Sequence, residues 1–428
     1  MPEHDLAKRL HLPQRAVAIV MAGDSGGWQQ RPSGHRADPA AHFGGKFRTV
    51  DFALSNCLNS GIRRIGVITP FKSHSLLRHL ERGWSFLKLD ANEFVALLPP
   101  RQRTDEAPSC GGSAEALLQH QDILEGYHAE FVLVLGGDHI YKMNYASMLA
   151  DHVAKGHDCT VACIEVPRDA ARDFSVLAVD TQWRITDLAD RPAEPQSMPG
   201  RTDHALVSME VYIFNATYFF AELARDAIDP VSGHDLGKDI VARAVRGGHA
   251  VAHRFATSCV GTSPGSTPYW CNVGSIDAYW EANIDLTSTR PQLDLYDTHW
   301  PIRTHHAELA PAKFLHNQPD RRGMAIESLV AGGSVVSGSV LRSVLFSSVR
   351  VHSYASVEWS VLLPAVEVGR HARLRRVVVE RGCSIPDGLV IGEDAAADAE
   401  RFVRTASGIT LVTAERLARL APSPCTTS

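Results

Sequence analysis

The rhythm of hydrophobic positions divides the chain in two. Up to about residue 285, short apolar runs alternate with stretches of helical spacing. Ala16–Met21 (AVAIVM) holds no polar residue and runs into Gly23, the pattern of a buried parallel strand followed by a tight loop. Arg64–Thr69 and Phe131–Leu135 repeat it, the second closing on Gly136-Gly137-Asp138. Ser113–Tyr127 has helical spacing, with Ala114, Leu117, Leu118 and Ile123 predicted on one side. Cys159–Val166 and Val207–Phe214 read as further strands. The β-α-β order predicts a mostly parallel, doubly wound α/β sheet with helices on both faces. Ligands of such sheets sit beyond the carboxyl ends of the strands, which singles out the Gly23 loop and Asp138.

From Pro291 to Arg322 the pattern loosens and prolines recur at 291, 301, 311 and 319, as in a connection between domains. After Gly323 the helical signal is gone. Aliphatic residues instead recur six apart, at Val351 and Val357, at Val368 and Leu374, and at Val379, Ile385 and Ile391. Turn formers and small residues fill the gaps. This period predicts a solenoid β-helix with one strand and one turn per triangular side; an ordinary sandwich is the alternative. The flat sides of such a solenoid suit self-association. Asp394–Leu420 reads as a terminal helix and strand. The expected organisation is a nucleotide-binding domain over 1–290, a linker over 291–324 and the β-helix over 325–428.

A chain of 428 residues accommodates two such cores. The net charge of −5 leaves no basic surplus to neutralise a nucleic-acid backbone, so nucleic-acid binding is not expected. No apolar run is long enough to span a bilayer, so no membrane association is expected either. Met1–Arg15 lacks the apolar core of a signal peptide, and a cytoplasmic location is the expectation. None of the eight cysteines forms a CxxC pair or has histidines at zinc-ligand spacing. They read as reduced, mostly buried thiols.

Five stretches closely resemble bacterial ADP-glucose pyrophosphorylase, the glucose-1-phosphate adenylyltransferase family. They are His42–Thr69 (HFGGKFRTVDFALSNCLNSGIRRIGVIT), Gly136–Tyr145 (GGDHIYKMNY), His234–Asp239 (HDLGKD), Tyr269–Leu286 and Trp300–Thr304 (WPIRT). The resemblance runs nearly end to end. It implies a nucleotidyltransferase sheet domain followed by a left-handed parallel β-helix. It also implies a reaction of ATP with glucose 1-phosphate that gives ADP-glucose and pyrophosphate, the committed step toward glycogen or starch. Family members are typically tetramers controlled by metabolites. In that reaction the sugar phosphate oxygen attacks the α-phosphorus of ATP in line. The site must supply positive charge and a divalent metal, Mg2+, to two anionic reactants. Backbone N–H groups of a glycine-rich loop must approach the phosphates.

Carried over residue by residue, the resemblance places the nucleotide at Ala22, Gly23 and Gly112. The metal falls at Asp138 and Asn272, and the sugar phosphate at Cys110, Ser175, Asp190, Arg191 and Ser208. Asp138 and Arg191 are the catalytic groups that remain. The departures cluster on this face. The family loop reads GGxGTRL and leads to RAKP; here it reads Gly23-Asp24-Ser25-Gly26-Gly27-Trp28 and then Arg36-Ala37-Asp38-Pro39. A glycine has become Asp24, the phosphate-clamping arginine is Trp28, and the catalytic lysine is Asp38. Reversing one charge about 5 Å from a phosphate charge changes the Coulomb energy by roughly 6–7 kcal/mol at an effective dielectric near 20. The second metal aspartate is Asn272, which removes a full charge, so Mg2+ is expected to bind weakly if at all. The EKP segment is Asp190-Arg191-Pro192. The sugar-site tyrosine is Cys110, the sugar-loop glycine is Ser175, and a glycine two positions past Ser208 is Glu210, where it is expected to crowd the sugar.

The resemblance also places an anionic effector between the domains, at His35, Arg36, His42, Arg48 and Arg381. The alternative for the arginines is surface salt bridging. Three readings follow: an active adenylyltransferase with an unusual loop, a regulatory or structural subunit, and a free-standing nucleotide or sugar-phosphate sensor. The subunit would act in a homotetramer or in a hetero-oligomer with a catalytic paralogue. Asp24, Trp28 and Asp38 favour the subunit or the sensor, and the nearly complete β-helix favours the subunit.

Overall fold

The computed structural model describes residues 11–22, 41–69, 74–87, 93–99, 112–261 and 267–420. The N-terminal part is built on a nine-stranded sheet. Its strands are β1 (Ala16–Met21), β2 (Arg64–Ile68), β3 (Phe94–Leu98), β4 (Phe131–Gly136), β6 (Cys159–Pro167), β7 (Ser175–Val179), β8 (Ile185–Asp190), β9 (His204–Asn215) and β10 (Ala250–Arg254). A separate two-stranded ladder joins β5 (His139–Tyr141) to β11 (Trp270–Asn272). The order β8-β7-β9-β4-β1-β2-β3 is parallel from β4 to β3, as the apolar runs predict. β9 enters antiparallel to β4, β6 and β7, and the sheet is therefore mixed. The hairpin connection that brings β8 back onto β7 leaves no room for a crossover helix, so that end of the sheet is antiparallel.

Alternation along β1 sends Ala16, Ala18 and Val20 to one face and Val17 and Ile19 to the other. The first face packs on the helices Thr49–Asn59, His74–Trp84 and Tyr145–Lys155 through Leu54, Leu80 and Leu149. The second packs on Ser113–Leu118, Gln121–Gly126 and Ala216–Ala227 through Leu117, Leu124 and Phe219. The continuous helix expected over Ser113–Tyr127 is thus two short helices. The break at Gln119-His120 rotates the second one, so that Leu124 turns inward and Ile123 is exposed.

The C-terminal part is a three-sided parallel β-helix whose sheets hold five, five and six strands. On one side Ser339, Ser356, Arg373 and Val390 begin successive strands in parallel register. Equivalent corner serines, Ser343 and Ser360, stand 17 residues apart and bond to each other, the Ser360 N–H donating to Ser343 Oγ at 3.0 Å. Val351, Val357, Val368, Leu374, Val379, Ile385 and Ile391 all point into the solenoid, each no more than 2% exposed. The ladder already includes Lys313–Phe314. At the far end the helix Ala395–Arg401 precedes Thr410–Val412, which joins the last side.

The two parts share a core. Phe43, Phe52, Ile140, Tyr279 and Trp280 pack with Val344, Phe346, Val361 and Leu411. Trp280 Nε1 donates to the carbonyl of Trp359 at 2.7 Å, and the Thr405 hydroxyl donates to Asp277 at 2.7 Å. No helix among the described residues is long and apolar enough to cross a membrane.

Candidate active site

The carboxyl ends of β1 and β4 meet where the sequence placed the ligand. Gly137 N–H donates to Met21 O at 3.0 Å. A Cβ on Gly137 would lie 2.8 Å from that oxygen, so glycine is required there for the two strand ends to meet. Ala22 is buried at this junction, and its N–H donates to Ile68 O at 2.9 Å. Gly112 opens the helix Ser113–Leu118 against the carbonyl of His234, which a Cβ would approach to 2.1 Å. Gly23, Asp24, Trp28, His35, Arg36, Asp38 and Cys110 lie outside the described residues.

Asp138 follows Gly137 and lies beside β5. The register of β5 with β11 sets His139 opposite Asn272. The Asn272 amide is committed on both sides. Its Oδ1 accepts the Gly274 N–H at 2.7 Å, which turns Nδ2 toward His139 Nε2 at 3.1 Å. The His139 ring is 1% exposed and lies 5.0 Å from Trp270. Among the described residues its Nδ1 has no hydrogen-bond partner, and it stands 3.7 Å from Asp138 Oδ1.

On β9 the register against β6 shifts between Ser208 and Tyr212, a bulge. Bulges re-aim side chains, and here Glu210 takes a left-handed backbone, φ 55°. Its N–H donates to Ser208 Oγ at 3.3 Å. Ligating atoms of Asp138, His139 and Glu210 all lie within 4.8 Å of one another. Glu210 is an exposed residue, but crowding of its carboxyl by the surrounding chain pushes that group above the usual range; His139 and Arg191 oppose that shift, and Asp138 and Asp235 add to it.

The β7–β8 hairpin positions the other predicted group of residues, pairing Ser175 with Asp190. Ser175 Oγ donates to Asp190 Oδ1 at 3.1 Å, and Lys238 Nζ reaches Asp190 Oδ2 at 2.9 Å. The Lys238 ammonium holds the Asp190 carboxyl below its usual range, with Ser175 and Arg191 assisting. Arg191 follows in a left-handed conformation, φ 45°. Among the described residues no hydrogen bond or ion pair to its guanidinium is present. Sequence reasoning missed Lys238 and His139, although both sit inside motifs that it quoted, HDLGKD and GGDHIYKMNY. Lys238 was findable there as the cation facing the Asp190 segment.

At the junction of the two parts, His42, Arg48 and Arg381 come together. Burial holds the His42 imidazole well below its usual pKa, and Arg48, Arg381 and His79 push the same way. Arg48 is 8% exposed and donates to Ser75 Oγ at 2.8 Å. Its N–H also caps the following helix through Asp51, a buried carboxylate that His79 Nε2 reaches at 2.7 Å.

Comparison with known proteins agrees with this geometry. Residues 17–289 match the Nucleotidyl transferase family, and residues 310–412 match the GlmU-like C-terminal hexapeptide, a left-handed β-helix. Over 412 residues the chain is 55% identical to a glucose-1-phosphate adenylyltransferase of Albidiferax ferrireducens, covering 96% of this chain and 97% of that protein. The chain belongs to the glucose-1-phosphate adenylyltransferase family. ATP and glucose 1-phosphate are the substrates consistent with membership. Nucleotidyl transferases generally use a divalent metal such as Mg2+, and the Asp138, His139 and Glu210 cluster, with an orphaned buried nitrogen beside two carboxylates, suits one.

Proposed function

We propose that this adenylyltransferase homologue binds nucleotide and sugar phosphate in the family cleft, turns them over slowly by itself, and serves as a regulatory or structural subunit. The observation that carries the proposal is the sign of the charge around the reacting phosphates. By resemblance the phosphate-binding loop brings Asp24 and Asp38 and has Trp28 where a cation is needed. Among the described residues Asp138 and Glu210 add negative charge, beside Arg191 and a Lys238 that Asp190 already holds. In-line phosphoryl transfer from ATP needs the leaving pyrophosphate held by preorganised positive charge. A metal at Asp138 would polarise the α-phosphate, but it cannot replace the clamp on the leaving group.

The junction supports the regulatory half of the proposal. Arg48 and Arg381, on either side of a His42 whose protonation they oppose, give the sheet domain and the β-helix a shared setting suited to an anionic effector. The flat sides of the β-helix suit assembly into a homotetramer or with a catalytic paralogue.

The test is pyrophosphate release by the purified chain, alone and mixed with an intact catalytic homologue. Alone it is expected to run at least a thousandfold below ordinary enzyme turnover, which is about 10 per second. In the mixture it is expected to change the response of the catalytic subunit to its effector. Turnover near the ordinary value by the chain alone overturns the proposal in favour of an active enzyme with an unusual loop.

A further inference from the structure

We propose that this chain holds its divalent cation between Asp138 and Glu210, with Glu210 supplying the carboxylate that Asn272 lacks. This rests on reading the cleft as the nucleotide site, and it names the metal ligands of that site.

Asn272 is a poor second ligand in this structure. It carries no charge, and its Oδ1 is already hydrogen bonded to the Gly274 N–H at 2.7 Å. Its Nδ2 faces His139, so the amide cannot turn its oxygen toward Asp138 without giving up both contacts. Glu210 has the opposite character. It stands on the β9 bulge at φ 55°, a conformation that costs a non-glycine residue about 1–2 kcal/mol. The bulge brings its carboxylate within 4.8 Å of the ligating atoms of Asp138 and His139. Oxygen ligands of one Mg2+ lie roughly 3–4 Å apart, given its metal–oxygen distance of about 2 Å. A small side-chain rotation brings the two carboxylates onto one ion.

His139 gives an independent indication of a ligand. The Asn272 amide donates to Nε2, so the proton of the neutral ring is on Nδ1. That N–H is buried, has no hydrogen-bond partner among the described residues and stands 3.7 Å from Asp138 Oδ1. An unsatisfied buried donor costs about 1–3 kcal/mol. Mg2+ keeps several of its waters and commonly carries substrate phosphates. Either kind of oxygen, on an ion at the two carboxylates, gives this N–H an acceptor. The cation also offsets the mutual repulsion of Asp138 and Glu210. Histidine acts here as a donor to a ligand oxygen, and the carboxylates are the metal ligands.

The test is Mn2+ binding to the full-length chain, read from the EPR signal of the free ion, without nucleotide or sugar. Glu210→Gln is expected to weaken Mn2+ binding about tenfold or more, as is Asp138→Asn. Glu210→Gly suits the left-handed backbone and keeps the experiment interpretable should the glutamine variant misfold; it is expected to lose Mn2+ to the same extent. Adding Asn272→Asp to Glu210→Gly is expected to recover most of the loss. Wild-type Mn2+ affinity in both Glu210 variants overturns the proposal, and so does the absence of any Mn2+ site in the unaltered chain. Fast ADP-glucose formation by the unaltered chain would overturn the slow-turnover reading and leave this assignment standing.

Discussion

Left-handed residues other than glycine occur in both the β-helix and the catalytic cleft, but they mean different things. In the β-helix they repeat with the coil. Arg342, Trp359 and Arg376 occupy one corner, Ser348 and Ala365 a second, Tyr354 and His371 a third. At the first corner their N–H groups bond to the preceding coil, Arg342 to Ile326 O at 3.0 Å, Trp359 to Leu341 O at 3.0 Å and Arg376 to Glu358 O at 3.1 Å. The strain is a feature of turning a corner, and stacking partners offset it. Arg342 lies 4.8 Å from the Trp359 ring and Arg376 5.0 Å from the Trp280 ring. In the cleft, Glu210 is a single event inside a strand, with a bulge on one partner and a carboxylate aimed at another carboxylate. No periodic requirement of the fold accounts for it. Isolated strain of this kind collects at functional sites.

The largest effect expected from breaking the contrast is catalytic. Restoring cations to the loop with Asp24→Gly, Trp28→Arg and Asp38→Lys together is expected to raise ADP-glucose turnover by about a hundredfold or more. Each change alone is expected to do little, since groups acting as a unit are not additive. Asn272→Asp is expected to add little to the triple variant while Glu210 is present. A triple variant that binds ATP with Mg2+ and gains nothing would move the defect to the sugar pocket, at Cys110, Ser175 and Arg191.

A smaller and purely structural effect belongs to the β-helix. Leu374→Ala removes a side chain that is 1% exposed from a core that repeats in every coil. It is expected to cost about 2–5 kcal/mol, read from the denaturant midpoint of the β-helix transition. An unchanged midpoint would show that the coil collapses around the vacancy.

The two kinds of strain are separated by glycine. Glu210→Gly is expected to stabilise the sheet domain by about 1 kcal/mol, the relief of a left-handed residue, while weakening metal binding. Arg376→Gly relieves the same backbone but gives up the stack on Trp280, worth about 0.5–1 kcal/mol, so its stability is expected to change little. Thermal melts of the two variants, side by side, check the difference in sign between stability and function.

These outcomes bear on what the sequence could say. The six-residue period specified the β-helix because each inward residue answers only to neighbours one coil away. The strands were legible for a similar reason, while Ser113–Tyr127 misled because a break at Gln119-His120 is invisible to a spacing rule. The strand-end rule pointed to the Gly23 loop and Asp138, and the rest of the cleft was legible only through resemblance. Ser175 and Asp190, named by resemblance, pair across one hairpin, and Arg191 follows it. The position of Glu210 depends on a bulge that strict alternation through Val207–Phe214 does not reveal. Arg381 acts electrostatically on His42 from a distant part of the chain, a proximity that no local pattern encodes.

The smallest expected effect concerns that interface and has a definite sign. His42 is packed against the Phe346 ring at 5.7 Å and lies near Arg48, Arg381 and His79. Burial first, then Arg48, Arg381 and His79 in that order, lower its pKa well below the ordinary 6.5. In the unfolded chain the imidazole titrates near about 6.5. Below that pH the unfolded state takes up a proton that the folded state refuses, so stability is present above the unfolded pKa and is lost as pH falls toward the folded one. The melting temperature is therefore expected to fall between about pH 7.5 and about pH 5.5, and His42→Gln is expected to remove part of that fall. His152 and His305 are also lowered by burial, so the difference between the two profiles, not the wild-type slope, measures His42. An anion bound at the junction favours the protonated ring, so inorganic phosphate should protect the chain more at the acidic end, and His42→Gln should lessen that gain. Parallel profiles for wild type and variant, with and without phosphate, would mean that His42 is a packing residue with no part in sensing an anion.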